Sequence, residues 1–243
     1  NYDQYVASLS VGGPLNDSWS ASLSGQINNK DGEWFNRATN EETGLERNVA
    51  VRGKLAYRGS EAFKAVLSVS YSDSTNDSNQ LLPGGSGSVP ANQRYTSDDV
   101  VLRYGFRTLS TPTINHGVDK MSDRPRSDTQ QLIASANLSW ETGLGTIRSI
   151  TGYVKTDDYF TTDFSGTGAL LGASDPRAEQ VSEELQLQGT AFNDKLNYLL
   201  GAYWFTEDGD QDFAWYLAVL GGATSTSQIK ASTDSYSFFG QAD

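Results

Sequence analysis

Few side chains in this sequence are of a type and spacing that could do covalent chemistry. His116 is the single histidine, beside Thr113 and Asp119, and cysteine is absent. Disulfides and thiolate metal sites are therefore excluded, and a Ser/His/Asp set or a histidine-based zinc centre has too few parts. Asp208-x-Asp210-x-Asp212 has the alternation of an oxygen-ligand calcium loop. Glycine falls at 209, however, and no glutamate follows at the twelfth position, so a solvated acidic stretch is expected and no metal. Gly84-Gly85-Ser86-Gly87 lacks the lysine of a phosphate loop and follows no strand–helix unit. No enzyme and no cofactor are expected. The groups left are suited to binding. Arg52, Lys54, Arg58 and Lys64 are cations around one short turn. Trp34, Phe35, Tyr95, Tyr104, Phe106, Phe213, Trp215 and Tyr216 are aromatics in long connections, where rings can stack on sugars, aryl groups or siderophores. Ordinary solvation of a wet surface, and packing of rings on one another, are the plainer alternatives for the two sets.

The elements that would position these groups follow from alternation. In Trp19–Asn28 every even residue is polar and every odd one apolar or small, which gives a strand one apolar and one wet face. Val49, Val51, Gly53, Leu55 and Tyr57 repeat the pattern against Asn48, Arg52, Lys54 and Arg58. So do Phe63 to Tyr71 and Leu132 to Trp140. Nine strands are expected, at 2–11, 19–28, 47–58, 63–73, 129–140, 146–156, 180–189, 196–206 and 232–242. The facing of 146–156 and of 196–206 is ambiguous, because both parities carry apolar residues.

The connections alternate between short (12–18, 59–62, 141–145, 190–195) and long (29–46, 74–128, 157–179, 207–231). Within 74–128, residues 99–109 read as an extra strand or a short helix. Short turns at one end and long loops at the other describe an antiparallel up-and-down transmembrane β-barrel. A soluble antiparallel sandwich also alternates, but its strands average about 5–6 residues, and alternation here persists for the roughly 9–11 that a tilted strand needs to cross a bilayer. Trp19, Tyr57, Phe63 and Trp140 cluster beside the short turns on the apolar parity, as in a membrane girdle. Arg52, Lys54 and Lys64 fall on the opposite parity, facing the lumen. Glu183 falls on the outward parity, and a position next to a long loop is expected to reduce its cost. With 30 acidic against 18 basic residues and a net charge of −12, the chain is a poor nucleic-acid binder.

Nine is an odd number, and an open sheet in lipid would leave two unpaired edges. Residues 1–243 are therefore expected to be one partial transmembrane β-barrel domain of a larger protein, with the remaining strands lying elsewhere.

Five stretches carry a family resemblance. Tyr2–Val11 running into Gly13-Pro14-Leu15, then Trp19–Asn28 and Asp31-Gly32, resemble the early barrel strands of TonB-dependent outer-membrane receptors, in particular the long-looped type of sphingomonads. Ser149-Ile150-Thr151-Gly152-Tyr153 is similar to that family's "SITGY" strand. Val181–Leu187 resembles "fSqElrL", Gly201–Phe205 with Glu207-Asp208 resembles "GlyyF.e", and Phe238–Ala242 resembles "alFGqa". The resemblance implies about nine of the ~22 strands of a plugged transporter in the bacterial outer membrane, importing a scarce, bulky nutrient such as a siderophore, carbohydrate or aromatic compound. Its implied partners are a plug domain of the same full-length chain, the TonB–ExbB–ExbD complex, outer-membrane lipid and lipopolysaccharide, and a small-molecule substrate. In that setting Arg52, Lys54, Arg58 and Lys64 read as a docking surface for acidic plug groups or a relay for an anionic substrate, and not as a substrate site. A passive porin-like channel and a secreted β-sheet binding or adhesion domain are the alternatives.

Overall fold

The computed structural model describes residues 3–32, 34–36, 41–77, 126–164, 170–193, 195–217 and 223–243. They form eleven strands: β1 (Gln4–Pro14), β2 (Trp19–Lys30), β3 (Trp34–Asn36), β4 (Glu41–Thr43), β5 (Glu46–Tyr57), β6 (Phe63–Asn76), β7 (Arg126–Thr142), β8 (Gly145–Asp163), β9 (Leu170–Ala191), β10 (Leu196–Leu217) and β11 (Ala223–Ala242). Nine of them make one sheet in the order β1-β2-β5-β6-β7-β8-β9-β10-β11, with every neighbour antiparallel. Chain order is kept across the sheet, the meander that the alternating stretches require. The expected extra element at 99–109 lies outside the described residues.

Register follows from the apolar pattern, because a one-residue slip would turn every side chain to the other face. Trp19 opposes Tyr57, Leu55 opposes Leu67, Phe63 opposes Trp140, and Leu187 opposes Leu200. This ladder settles the two ambiguous strands. Trp140 pairs with Ile147 and Ala134 with Tyr153, so Ile147 and Tyr153 join the apolar face while Ile150 and Val154 face the polar side. In β10 the even residues Tyr198, Leu200 and Trp204 lie on the apolar face, leaving Leu199, Tyr203 and Phe205 opposite.

No second layer covers the apolar face among the described residues. The other sheet there is the β3–β4 pair of three residues each. Leu9 is 75% exposed and Phe238 81%, and most other large apolar side chains of this face are exposed too. A sandwich would have buried them. The buried apolar residues described are Ala56, Leu171, Ala173 and Ala214. The last three cluster at the far ends of β9 and β10, with Tyr159 and Tyr216 against them.

Three sequence expectations are corrected. Connections 157–179 and 207–231 are mostly strand: β8 continues to Asp163, β9 begins at Leu170, β10 runs to Leu217 and β11 starts at Ala223. Beyond the apolar band both faces of these hairpins mix polar with apolar side chains, so the period-two signal stops although backbone pairing goes on. Only opposite Pro176 is the β8–β9 ladder interrupted, at Asp158 and Tyr159, because proline has no N–H to give. Connection 29–46 holds β3 and β4. Gly13 and Pro14 end β1 rather than form its turn. The turn is made at Asn16, whose Oδ1 accepts the N–H of Ser18 and of Trp19, both at 2.9 Å.

The β9–β10 turn places Phe192 and Asn193 at φ 54° and 58°, the left-handed region that asparagine tolerates best after glycine.

Candidate functional site

Two surfaces result, one polar and one apolar. On the polar face, Arg52 lies between Ser24 and Ser70, Lys54 between Ser22 and Ser68, and Lys64 opposite Ser139. All three cations are exposed. Arg58 lies just past β5 and ties the two short turns together by donating its N–H to the Ser18 carbonyl at 2.8 Å. Arg148 is a member of this face that the sequence reading missed: it opposes Ser139 and Gln186. The pairing of Trp140 with Ile147 across the β7–β8 turn was the signal that could have found it. Around Arg52 the face forms an open trough of about 460 Å³, lined by Ser8, Ser10, Ser24, Gln26, Arg52 and Ser70 among others, with no carboxylate in its lining.

The aromatic candidates separate. Phe213 and Trp215 lie on β10, opposite Ser174 and Gly172, on the polar face. Trp215 is clamped between Phe213 and Phe164, with ring centroids 4.8 Å and 4.9 Å away. The room comes from Gly172, where a Cβ would lie 2.6 Å from the Phe164 ring and 3.4 Å from Trp215. Tyr216 points to the other face and packs against the Leu171, Ala173 and Ala214 cluster, so it is not part of the same ring group. Strand parity separates neighbours in this way wherever an expected loop proves extended. Trp34 and Phe35 sit in β3, paired with Thr43 and Glu42. Tyr95, Tyr104 and Phe106, like His116 and Gly84–Gly87, lie outside the described residues. Trp215→Ala is expected to lose about 1–3 kcal/mol, as two ring contacts are each worth ~0.5–1.5 kcal/mol beyond burial. A lower thermal unfolding midpoint of the full-length protein would report it.

On the apolar face, Trp19, Tyr57, Phe63 and Trp140 form a continuous chain of rings, with successive centroids 4.9, 6.0 and 6.3 Å apart. Tyr198 lies on the same face, where its hydroxyl donates to the Leu144 carbonyl over the missing side chain of Gly189. Glu183 is not beside a loop. It lies thirteen residues into β9, on the apolar face, where its carboxylate accepts the hydroxyls of Ser149 at 2.7 Å and Thr151 at 2.5 Å. Beyond the apolar band the same face becomes charged. One register row runs Asp73–Gln130–Asp157–Arg177–Asp210–Lys230 across six strands. Asp208, Asp210 and Asp212 stand on this face of β10, opposite Glu179, Arg177 and Asp175. The three are therefore rungs of a cross-strand ladder, and among the described residues no group of three or more His, Cys, Asp or Glu is arranged to hold a metal ion. Tyr159, in this projecting part, has its phenol pushed above the usual value, by burial first and then by the Asp128 carboxylate.

No protein-family model matches the chain, and no curated protein matches it. Solved structures do. The ferric yersiniabactin uptake receptor FyuA from Yersinia pestis is 12% identical with a TM-score of 0.63, over 99% of this chain and 42% of its own. The ferric citrate transporter FecA is 13% identical with a TM-score of 0.63, over 100% of this chain and 33% of its own. The RagAB peptide importer is 13% identical with a TM-score of 0.57, over 98% and 29%. The chain thus spans less than half the length of each of these three structures. At these identities the likeness is one of fold: the nine-stranded sheet has the architecture of part of the up-and-down β-barrel found in uptake receptors and importers.

Proposed function

We propose that this chain is part of the wall of a TonB-dependent outer-membrane transporter that imports a scarce, bulky nutrient, of the siderophore, carbohydrate or aromatic class. The observation that carries the reading is a continuous, exposed apolar face backed by a polar one, on a sheet that superposes on uptake receptors. In lipid such a sheet must pair its β1 and β11 edges, because each backbone N–H or C=O left without a partner there costs several kcal/mol. The remaining strands and a plug domain are accordingly assigned to the same full-length protein, with residues 1–243 as a partial barrel domain. Trp19, Tyr57, Phe63 and Trp140 serve as the interfacial girdle. Arg52, Lys54, Arg58 and Lys64 face the passage, Phe213 and Trp215 stand near its outer end, and the charged row beyond the apolar band meets lipopolysaccharide. Energy comes from the TonB–ExbB–ExbD complex.

The test is a nutrient screen combined with fractionation. A strain lacking the full-length protein is expected to lose growth on a subset of the scarce nutrients that a strain lacking TonB also loses, and the protein is expected in the detergent-extracted outer membrane. Uptake that continues without TonB would identify a passive channel, and recovery in the water-soluble fraction would overturn the membrane reading.

A further inference from the structure

The polar face of β1, β2, β5 and β6 is rich in hydroxyls, and Arg52 has only serines opposite it on the two neighbouring strands. Arg52 is exposed, flanked by Ser24 and Ser70, and sits in the trough of about 460 Å³. Across a chain of net charge −12, this stretch of wall holds Arg52 and Lys54 with no acid beside them. The register places Glu46 six residues up the same strand, roughly 20 Å away, and its carboxylate already faces the Lys30 ammonium at 3.6 Å. Asp158 is three strands away on β8, about 14 Å across the sheet and about 13 Å along it. No ion pair joins Arg52 to any described residue.

We propose that this trough is a binding site for a carboxylate-bearing solute, with Arg52 as its principal contact. A planar guanidinium meets a carboxylate through two parallel N–H bonds. Serine hydroxyls and the Gln26 amide around it supply neutral donors for the remaining lone pairs and for hydroxyl groups on the solute. Lys54 is two residues along the strand on the same face, about 7 Å away, so a second carboxylate of the same molecule falls within its reach. The absence of an acid in the lining is what separates this surface from the charged row on the opposite face, where every cation lies beside carboxylates and an anion would be repelled. The inference takes from the proposed transporter only the direction in which the polar face looks.

The experiment is residue-resolved modification of the full-length, detergent-solubilised protein with phenylglyoxal, an arginine-selective reagent, followed by mass spectrometry. The probes are succinate, its uncharged analogue succinamide, inorganic phosphate and chloride, the salts at matched ionic strength. Succinate is expected to slow modification of Arg52 about tenfold, as a charge-assisted contact should. Arg58 and Arg148, which lie outside the trough, should keep their rates. Equal slowing of all three arginines by any salt would mean screening only and would overturn the site. Stronger protection by phosphate would overturn the carboxylate assignment. An Arg52 that resists the reagent without any added anion would mean that another part of the protein occupies the trough, which also overturns it. Because the readout is the reactivity of single residues, it decides the site even if fractionation shows the protein to be water-soluble and the transporter reading fails.

Discussion

Gly145→Ala is expected to destabilise the folded wall by about 3 kcal/mol, enough to remove most heat-resistant, compactly migrating protein from a semi-native gel of the full-length chain. Gly145 closes the two-residue β7–β8 turn at φ +119°, a region essentially reserved for glycine. Alanine would also drive its Cβ into the Gln188 carbonyl oxygen and bring it within 2.9 Å of the Gly189 Cα. Both are backbone atoms of β9, so no side-chain rotation relieves the contact. Backing away would also pull Leu144 from the Tyr198 hydroxyl that holds this turn to β10. Gly143→Ala, where a Cβ meets nothing within 4 Å, is the matched control and should behave as wild type. Similar loss from both variants would show that the turn is intolerant of any side chain, and the backbone argument would fail.

Leu67→Arg carries the second large effect, a loss of ~2–4 kcal/mol if this face meets hydrocarbon at mid-depth. Leu67 is the middle of the apolar run from Phe63 to Tyr71 on β6, lies between Leu55 and Ala136, and is 43% exposed. At an exposed site in water the same change is usually worth within about ±0.5 kcal/mol. The measurement is denaturant unfolding of the full-length protein in lipid vesicles, with Asn137→Arg as reference. Asn137 sits on the polar face one strand away, and arginine there should be nearly neutral. Equal stability of the two variants would place both faces in water and remove the basis for a membrane wall.

Alternation made the strands legible wherever one face is apolar. Trp19–Asn28 and Phe63–Tyr71 could be placed with their facing, and the order of nine paired strands follows from them. What stayed hidden has two physical causes. In the outer parts of β8 to β11 the apolar residues fall on both parities among polar ones, as Tyr159 beside Phe160 and Trp215 beside Tyr216 do, so Asp157–Asp163 and Glu207–Leu217 read as loops. In β8 and β10 apolar residues occur on both parities, and only the partner strand fixes the facing. That is why Arg148 escapes a reading of the sequence alone, whereas Tyr216 groups with Trp215 only because 207–231 reads as a loop, where parity assigns no face. Glu183 lies on the apolar face as its parity indicates, but Ser149 and Thr151 on the neighbouring strand, rather than proximity to a loop, satisfy its carboxylate.

Strand length is graded across the sheet, from 11 and 12 residues in β1 and β2 to 22 in β9 and β10. At about 3.3 Å per residue the first pair extends roughly 35 Å and the second roughly 70 Å. The extra height of β9 and β10 rises beyond the apolar band as a hydrogen-bonded parapet, paired along its whole length. Pairing over that height makes the screen stiff, so Phe213 and Trp215 near its top are held at a set distance from the apolar band.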